Sequence, residues 1–494
     1  MKRSQKIIKA VVFCVLTVLM VFHLTRLLTP KWLDSWDASK TEKTYYKLEK
    51  DSIDVLFMGS SGMAASIDPY QLYDEQGISS YNLNCNQQTL LGTYFWMKEA
   101  LKTQDPDVIV VEVSAIAMKQ EVAERVARRS YDFMNWSVNK LSFVFTFRNT
   151  GEMGQPLISY LFPLYEYHTR WSELRKDDYE FIYGDTDVFA RGYVPKTDVF
   201  GRHREVTYAG ITLDPTEKMP VIETNRKALA DMIELCREEG IQIVLYKSCD
   251  AGWSAASHNN ISEIAKQYDV PFLDMNEPDI MEAADINYRT DALDRRHMNI
   301  RGAEKSTSYV GQYLKDNFDL PDRRTDERIA AIFDAGRGKY ECAMENARLA
   351  FCTDPVKYIE LADKDRYVYF AAGPGFQGTF TSEQAELLLK LGMSEEFTEE
   401  FSAGKYTAAV FGNGTEAFFE RDSSSTVKVR GMLPSGEVYT VTAGDGETSI
   451  IIDEIEFVQD KDNVTVVVYD MVLHEAADCF CIGANKDKHI VINR

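Results

Sequence analysis

Short apolar runs that alternate with amphipathic helical patterns constrain the fold of this chain more than any other feature. The clearest run, residues 108–114 (VIVVEVS), is apolar at nearly every position and is typical of a strand buried on both faces. Four further runs favour strands, at residues 53–58, 79–83, 241–247 and 270–275. Helical patterns lie at residues 90–103, 223–239, 261–268 and 301–316. This alternation predicts an α/β fold, with a parallel sheet covered by helices on both faces.

The N-terminus adds a second constraint, an apolar run at residues 10–25. If the Lys9 side chain snorkels, the run extends over residues 7–28, a helix that rises roughly 33 Å and can cross a bilayer. Residues 1–31 contain six basic residues and no acidic residue, which predicts a cytoplasmic N-terminus and an extracellular body. No small-x-small cleavage site follows, so we expect a retained single-pass anchor in the cell membrane. A soluble secreted protein would require cleavage of this segment.

The charge balance and the cysteines exclude several classes of function. The chain has 494 residues, with 77 acidic and 55 basic side chains, and its net charge of −22 argues against broad contact with nucleic acid. Its eight cysteines show no metal-ligand spacing, so neither a metal site nor a cofactor is expected. Seven cysteines lie beyond the apolar run, and this odd number favours buried thiols over a disulfide framework.

Two shifts in composition divide the chain into domains. Residues from about 119 to 220 are rich in aromatic and charged side chains and form an insertion, which usually serves as a lid or binding surface. Residues 321–355 are typical of a charged linker that contains a short helix. We therefore predict a cytoplasmic tip and transmembrane anchor at residues 1–31, an α/β domain at residues 32–320, the linker, and a mostly β accessory domain at residues 356–494.

The accessory domain is predicted from its short strands and tight turns. The strand patterns are residues 366–372, 406–411, 438–442, 449–455, 464–469 and 490–492, and one helical pattern covers residues 382–391. Turn signals stand at residues 412–414 (GNG) and 434–436 (PSG).

A glycine–serine block follows the first predicted strand and is the first candidate for chemistry. It reads Gly59-Ser60-Ser61-Gly62. The loops at the carboxyl ends of parallel strands are where α/β sheets build their sites, and glycines on both sides allow a tight turn that presents a hydroxyl. By itself such a block is most often only a turn.

A second block, Asp294-Arg295-Arg296-His297, supplies groups that could activate a serine. A carboxylate three residues before an imidazole can hold one ring nitrogen and leave the other to accept a proton. Asn299 is a plausible N-cap for the helix that follows. The alternative is a solvated loop histidine.

Together the two blocks resemble the SGNH/GDSL hydrolase superfamily, over roughly residues 53–314. The resemblance implies a flavodoxin-like α/β/α sandwich and a Ser-His-Asp triad formed by Ser61, His297 and Asp294. The GSS form, the anchor and the HMNIRGAEK ending look most like the branch that contains the teichoic-acid D-alanyl transfer protein and the alginate O-acetylation proteins. That branch implies acyl groups on cell-surface polysaccharide or teichoic acid as substrates, and a polytopic membrane O-acyltransferase as partner.

The sequence departs from the superfamily at the positions that would complete an oxyanion hole. The third block lacks the asparagine of G-x-N-D after residues 111–115, and the second block lacks its glycine in residues 81–88 (YNLNCNQQ). The expected donors are the Gly62 N–H and a side-chain amide. Candidates for that amide are Asn84, Asn86 and Gln88. Glu112 could contact substrate or orient a loop, and we favour the second role.

Two further groups of residues could contact substrate. In the insertion, residues 165–171 (YEYHTRW) bring His168, Arg170 and Trp171 together, and these could stack on sugars or hold an acyl group. Aromatic residues at this density also commonly pack a lid onto its domain. Trp253 and His258, after the fourth predicted strand, have the same two interpretations.

The C-terminal domain resembles an interleukin-like EMT inducer domain, a compact β module. The resemblance lies in residues 406–411, 444–446 (GDG), 449–453 (SIIID) and 463–470 (NVTVVVYD). It implies binding of glycan or protein without catalysis, and the alternative is any small sandwich.

Two functions follow as hypotheses. The first is a membrane-anchored serine esterase or O-acyltransferase. The second is a non-catalytic polysaccharide-binding or assembly protein on a degenerate fold of the same type, and the missing asparagine and glycine favour it.

Overall fold

A computed structural model describes residues 2–31, 38–117, 124–149, 155–184, 190–203, 205–374, 381–391, 406–412, 418–422, 426–444, 447–457, 463–484 and 490–493. The chain divides into two units, Met1–Gly336 and Arg337–Arg494.

The first unit is built on a five-stranded parallel sheet, as predicted. Its strands are β1 (Val55–Gly59), β2 (Ser80–Asn84), β3 (Val108–Glu112), β4 (Gln242–Lys247) and β5 (Phe272–Asp274). They lie in the order β2-β1-β3-β4-β5 and all pair in parallel. This is a doubly wound order, in which the order of successive strands reverses between β1 and β3, the point at which such sheets have a crevice at the carboxyl ends of the strands.

Helices cover both faces of this sheet because successive strand residues point to opposite sides. On one face Leu56 and Met58 of β1 pack in a core with residues of helices at 90–100 and 223–239. On the other face Val55 and Phe57 pack with residues of helices at 69–76 and 300–317. All residues of β1, β2 and β3 are buried. Burial on both faces explains the near-continuous apolar sequences of β1 and β3, whereas β2 (SYNLN) has three polar residues.

The helices of the first unit are α1 (Lys2–Leu28), α2 (Ala38–Tyr45), α3 (Ser61–Ala64), α4 (Pro69–Gln76), α5 (Leu90–Ala100), α6 (Glu124–Tyr131), α7 (Val138–Asn149), α8 (Leu157–Leu161), α9 (Leu164–Tyr167), α10 (Lys176–Tyr183), α11 (Phe200–His203), α12 (Glu223–Glu239), α13 (Ala255–Tyr268), α14 (Pro278–Ala283), α15 (Tyr288–Asp291) and α16 (Ile300–Asn317). Short 3₁₀ helices lie at Ser114–Ala117, His168–Glu173 and Arg323–Thr325. Within the described part of the insertion, every regular element is helical.

Helix α1 is long and apolar enough to cross a membrane over Ser4–Leu28, and it is the one such helix among the described residues. Its apolar side chains from Ile7 to Phe22 are exposed. A helix with an exposed apolar surface all round is stable in lipid and not in water.

The predicted linker is largely helical. Helix α17 (Glu327–Phe351) has 25 residues and runs across the division between the two units. Gly336 and Gly338 interrupt its apolar pattern, and glycine costs about 1 kcal/mol inside a helix, so the sequence predicts a shorter one. Buried Ile329 and Phe333, one turn apart, stabilise its first half.

The second unit is mostly β, as predicted, and all its strand pairs are antiparallel. A six-stranded sheet has the order β15-β14-β13-β6-β7-β8 and a four-stranded sheet the order β12-β11-β10-β9. The elements are α18 (Pro355–Ala362), β6 (Tyr367–Pro374), α19 (Ser382–Lys390), β7 (Tyr406–Gly412), β8 (Phe418–Asp422), β9 (Val427–Met432), β10 (Val438–Ala443), β11 (Ser449–Ile452), β12 (Ile455–Glu456), β13 (Val464–Asp470), β14 (Glu475–Ala484) and β15 (Ile490–Asn493).

Local turn chemistry explains two details of this unit. The predicted turn at residues 434–436 joins β9 to β10, and Gly436 has the positive φ of +106° that the turn requires. The predicted strand at residues 449–455 is split into β11 and β12, because Asp453 and Glu454 adopt positive φ values and form a two-residue hairpin loop. Of the turn predicted at residues 412–414, residues 413 and 414 lie outside the described residues.

Candidate active site

Ser61 is positioned by the sharp turn that follows β1. A Cβ atom on Gly59 would lie 2.5 Å from the Cβ of Glu112 on the neighbouring strand, so only glycine fits where the chain leaves the sheet. Ser60 is then the N-cap of α3, and Ser61 is its first residue. Ser61 is 9% exposed and, because it follows β1 directly, lies at the carboxyl edge of the sheet.

His297 is held by a rigid loop in front of α16. The Asp294 carboxylate accepts hydrogen bonds from the backbone N–H groups of Arg296 (2.7 Å) and His297 (3.0 Å). The loop is closed by a bridge between Ala292 and Met298. Asn299 caps α16, as predicted, by accepting from the N–H groups of the first turn. This turn chemistry is local, which is why the sequence indicates it.

The structure brings Ser61, His297 and Asp294 together in one hydrogen-bonded chain. Ser61 Oγ lies 2.9 Å from His297 Nε2, and His297 Nδ1 lies 2.9 and 3.0 Å from the two Asp294 oxygens. With Nδ1–H donated to the carboxylate, Nε2 carries the lone pair that can accept the serine proton. This arrangement can perform nucleophilic acyl transfer.

The carboxylate of this chain is kept ionised. Partial burial works to raise the pKa of Asp294, but hydrogen bonds from the His297 ring and from the Arg296 N–H outweigh it and hold that pKa below its usual range. Because the side chain is 48% exposed, solvent screens part of this effect. Asp294 therefore remains an acceptor that fixes the imidazole tautomer.

Among the predicted oxyanion donors, Gly62 is best placed. Its N–H belongs to the first turn of α3, where backbone N–H groups have no intrahelical acceptor. A Cβ atom on Gly62 would lie 2.7 Å from Ser248 Oγ, so a larger residue would displace the loop. The backbone of Gly62 can thus approach a substrate oxygen beside Ser61.

The predicted side-chain amides have other roles in this structure. Asn84 is buried and its Nδ2 donates to the Asn82 carbonyl (3.0 Å), the Asn82 side chain (3.1 Å) and the Gly192 carbonyl (2.8 Å). Gln88 Nε2 donates to Thr93 Oγ1 at 3.0 Å. Asn84 therefore connects the end of β2 to the insertion at Gly192, and Gln88 contacts the first turn of α5. Asn86 is half-buried in the same loop.

The predicted substrate residues of the insertion belong to a segment that packs against the N-terminal helix α1. His168 lines a groove with Val21 of α1. Arg170 donates to the Leu28 carbonyl at 3.4 Å and pairs with both oxygens of Asp178 at 2.9 Å. Trp171 is 71% exposed. Of these three residues, His168 shares a groove with α1, and Arg170 contacts both α1 and α10, because the insertion folds back on the N-terminal helix.

Sequence reasoning missed a buried ion pair beneath the serine loop. Lys247 Nζ lies 3.3 Å from Glu112 Oε1, and both side chains are 1% exposed. Glu112 also accepts from Ser60 Oγ (3.4 Å) and from Ser114 Oγ. Glu112 therefore orients the loop that carries Ser61, the role we favoured. Lys247 at the end of the predicted buried strand 241–247 is the sequence feature that could have indicated an ionic partner for Glu112.

A second histidine–aspartate pair lies at the β5 edge of the sheet. His258 Nδ1 is 2.8 Å from Asp274 Oδ2, and Trp253 Nε1 donates to the same oxygen at 2.8 Å. Asn276 Nδ2 donates to the other oxygen at 2.8 Å. Trp253 and His258 thus satisfy a fully buried carboxylate.

Among the described residues, no group of three or more His, Cys, Asp or Glu is placed to hold a metal ion. All eight cysteines are described, and none of them forms a disulfide.

No protein-family model matches this sequence, and a comparison with curated proteins finds no match. Function is therefore inferred from the side chains and their geometry.

Proposed function

We propose that this protein is a membrane-anchored serine esterase or O-acyltransferase with Ser61 as its nucleophile. The observation that carries the proposal is the hydrogen-bonded chain from Ser61 Oγ through His297 to Asp294. A core serine rarely has an imidazole on its hydroxyl and a carboxylate behind that imidazole, and this is the arrangement that activates a hydroxyl. The position of the three groups at the carboxyl edge of a doubly wound sheet supports it further.

The reaction proceeds through an acyl-enzyme. His297 Nε2 takes the Ser61 proton as Oγ attacks the ester carbonyl, and the Gly62 N–H stabilises the oxygen that becomes negative. The protonated His297 then gives its proton to the departing alkoxide. A sugar hydroxyl or a water molecule, deprotonated by the same imidazole, attacks the acyl-enzyme and releases Ser61. Asp294 keeps the imidazole in the required tautomer throughout.

We further propose that the substrates are acyl groups on cell-surface polysaccharide or teichoic acid. Support comes from the resemblance of the serine and histidine blocks to SGNH/GDSL hydrolases and from helix α1, which can hold the domain at a membrane. With the N-terminus in the cytoplasm, the site faces the extracellular polymers. A polytopic membrane O-acyltransferase would supply the acyl group in the transferase case. The β-rich unit, by its resemblance to an EMT inducer domain, would bind the glycan.

A fluorophosphonate probe tests the nucleophile directly. The full chain in detergent should be labelled, and Ser61→Ala should abolish the labelling. Ser60→Ala is the matched control, because Ser60 is the adjacent hydroxyl and its described side-chain contact is a 3.4 Å hydrogen bond to Glu112. Labelling should survive in that variant. Absence of labelling in the wild-type chain, under conditions that modify a control esterase, would favour the non-catalytic assembly protein.

A further inference from the structure

The insertion folds against the last two turns of α1. Tyr183 Oη lies 2.8 Å from His23 Nε2, and Arg170 donates to the Leu28 carbonyl. Val21 of α1 and four insertion residues line a groove of about 570 Å³; these four are Phe162, Leu164, Tyr165 and His168. Val21 precedes Leu28 by seven residues, so the insertion covers roughly 10 Å of the helix axis at about 1.5 Å per residue.

This covered stretch lies at the membrane boundary when α1 spans a bilayer. The apolar segment Ser4–Leu28 has 25 residues and is roughly 37 Å long, whereas the hydrocarbon core is about 30 Å thick. The surplus of roughly 7 Å equals about five residues, and Arg26 in the last turn of α1 places it at the C-terminal end of the helix, in the region of the lipid headgroups. Insertion residues that lie beside Val21 and His23 are therefore near the boundary between headgroups and acyl chains.

Ionic and polar contacts fix the insertion to the end of the helix. Lys31 is buried and its Nζ donates to the Arg26 carbonyl (2.7 Å) and the Leu27 carbonyl (3.1 Å). The same ammonium lies 3.9 Å from Asp178, which also pairs with Arg170. These contacts satisfy the carbonyl groups at the C-terminus of α1. The insertion and the C-terminal end of α1 thus pack together as one structural unit.

Large aromatic side chains of the insertion are exposed where it packs on the end of α1. Phe162 is 57% exposed, Tyr165 55%, Trp171 71% and Tyr183 63%. Exposed aromatic residues that gather at one end of a membrane-spanning helix match the belts of Trp and Tyr found at membrane–water interfaces. Such a patch in water would be unusual for a monomeric protein. The chemistry of the surface therefore suits the boundary between headgroups and acyl chains.

We propose that residues 157–183 form a membrane-seated collar around α1, whose aromatic side chains insert into the lipid interface on the catalytic side of the bilayer. The collar fixes the height and tilt of the α/β unit above the membrane. The inference rests on the anchoring role of α1 within the proposed function, and it is independent of the chemistry of Ser61. The occupant is lipid, because the patch is continuous with the membrane-spanning surface of α1.

Fluorescence quenching in lipid nanodiscs tests the collar without any catalytic assay. The full chain is placed in phosphatidylcholine nanodiscs with or without bromine atoms on the acyl chains. The emission of Trp171 is obtained as the difference between wild type and Trp171→Phe. Bromolipid should quench most of this difference emission, and aqueous acrylamide should quench little of it.

The matched control is Leu213→Trp in the Trp171→Phe background. Leu213 is another exposed apolar residue of the insertion. It lies at the β5 edge of the sheet, because the nearby Ile211 N–H donates to the Asn276 carbonyl. The collar lies at the opposite edge, because α10 contacts α2 and α2 packs on β2. The emission of the tryptophan introduced at this position should respond to acrylamide and not to bromolipid.

Three results would overturn the collar. The first is quenching of Trp171 by acrylamide alone, which would place its ring in water. The second is shielding of Trp171 from both quenchers, which would favour a protein partner over lipid. The third is equal quenching by bromolipid at Trp171 and at the control position, which would show that lipid contact is not specific to the collar.

Discussion

The two histidine–aspartate pairs at the edge of the sheet differ in what surrounds them. In the His297–Asp294 pair the carboxylate is 48% exposed, the ring is 17% exposed, and the far nitrogen meets a serine hydroxyl. In the His258–Asp274 pair the carboxylate is fully buried, and Trp253 and Asn276 also donate to it. The Nδ1-to-carboxylate distances are nearly equal, at 2.9 and 2.8 Å. The distance alone therefore does not mark a catalytic pair.

The difference lies in how the hydrogen-bonding capacity of the carboxylate and the ring is used. Asp274 is a buried anion whose donors come from α13 and the segments around β5, so its histidine is one structural donor among several. Asp294 accepts from two backbone N–H groups and from one ring, whose second nitrogen lies 2.9 Å from the Ser61 hydroxyl. The proposed function rests on that nitrogen and the hydroxyl beside it.

Replacing each histidine in turn gives the largest expected contrast. We expect His297→Ala to lower ester hydrolysis roughly 10⁴-fold or more, because the base is lost. We expect His258→Gln to leave the rate within about threefold, since that ring does not meet a nucleophile, with a loss of stability for one donor of about 1–2 kcal/mol. Initial rates on a soluble acyl ester measure both. A loss of rate in His258→Gln comparable to that in His297→Ala would contradict the structural role assigned to His258.

Replacing each aspartate should separate rate from stability. Asp294→Asn is expected to lower the rate by about 10²–10⁴-fold, because an amide no longer fixes the tautomer, with a small effect on folding. Asp274→Asn should leave the rate almost unchanged but lower the free energy of unfolding by about 2–4 kcal/mol, since its buried donors lose an ionic acceptor. Urea unfolding in detergent measures the loss of stability of each variant, and the ester assay measures its loss of rate. If both variants lose only stability, Asp294 has no catalytic role.

The Glu112–Lys247 ion pair lies between the surroundings of the His297–Asp294 pair and those of the His258–Asp274 pair. Lys247 Nζ lies 5.3 Å from the Trp253 ring, while Glu112 contacts Ser60. Lys247→Met leaves Glu112 as an uncompensated buried charge and should cost about 3–5 kcal/mol of unfolding free energy. The double variant with Glu112→Gln should recover most of that loss.

The control for this pair is Lys227→Met, which breaks an exposed pair with Asp231 and should cost less than about 1 kcal/mol. Equal losses in Lys247→Met and Lys227→Met, measured by urea unfolding, would show that the buried pair is not special.

The smallest expected effect is the pH dependence of the Asp294 contribution. Because hydrogen bonds hold the pKa of Asp294 below its usual range, its contribution to stability is complete above the unfolded value and is lost as pH falls through the folded value. The difference in unfolding free energy between wild type and Asp294→Asn, below about 1 kcal/mol for this half-exposed group, should therefore shrink from pH 5 to pH 3. A difference that grows on acidification would contradict this assignment.

Much of the fold and the core of the site follow from local sequence. Four of the five strands are predicted from apolar runs, and β2 (SYNLN) mainly from its place in the alternation of strands and helices. Asp294, His297 and Asn299 are predicted because turn and cap chemistry acts within a few residues. Contacts between distant segments are not predictable in this way. Asn84 Nδ2 donates to the Gly192 carbonyl, 108 residues away, and the sequence does not indicate this contact. The packing of the insertion on α1 is tertiary as well, which is why sequence reasoning does not predict the contact of Arg170 with the Leu28 carbonyl.

Ser61 and His297 are 236 residues apart in the chain. During synthesis the serine leaves the ribosome long before the imidazole does, and the loop that carries His297 is positioned only when α16 has packed on the sheet. A nascent chain that stops between Ser61 and His297 contains the hydroxyl but not the imidazole. Under the proposed mechanism such truncated or stalled products are inert without an inhibitor, because the site is complete only when the whole α/β unit has been made.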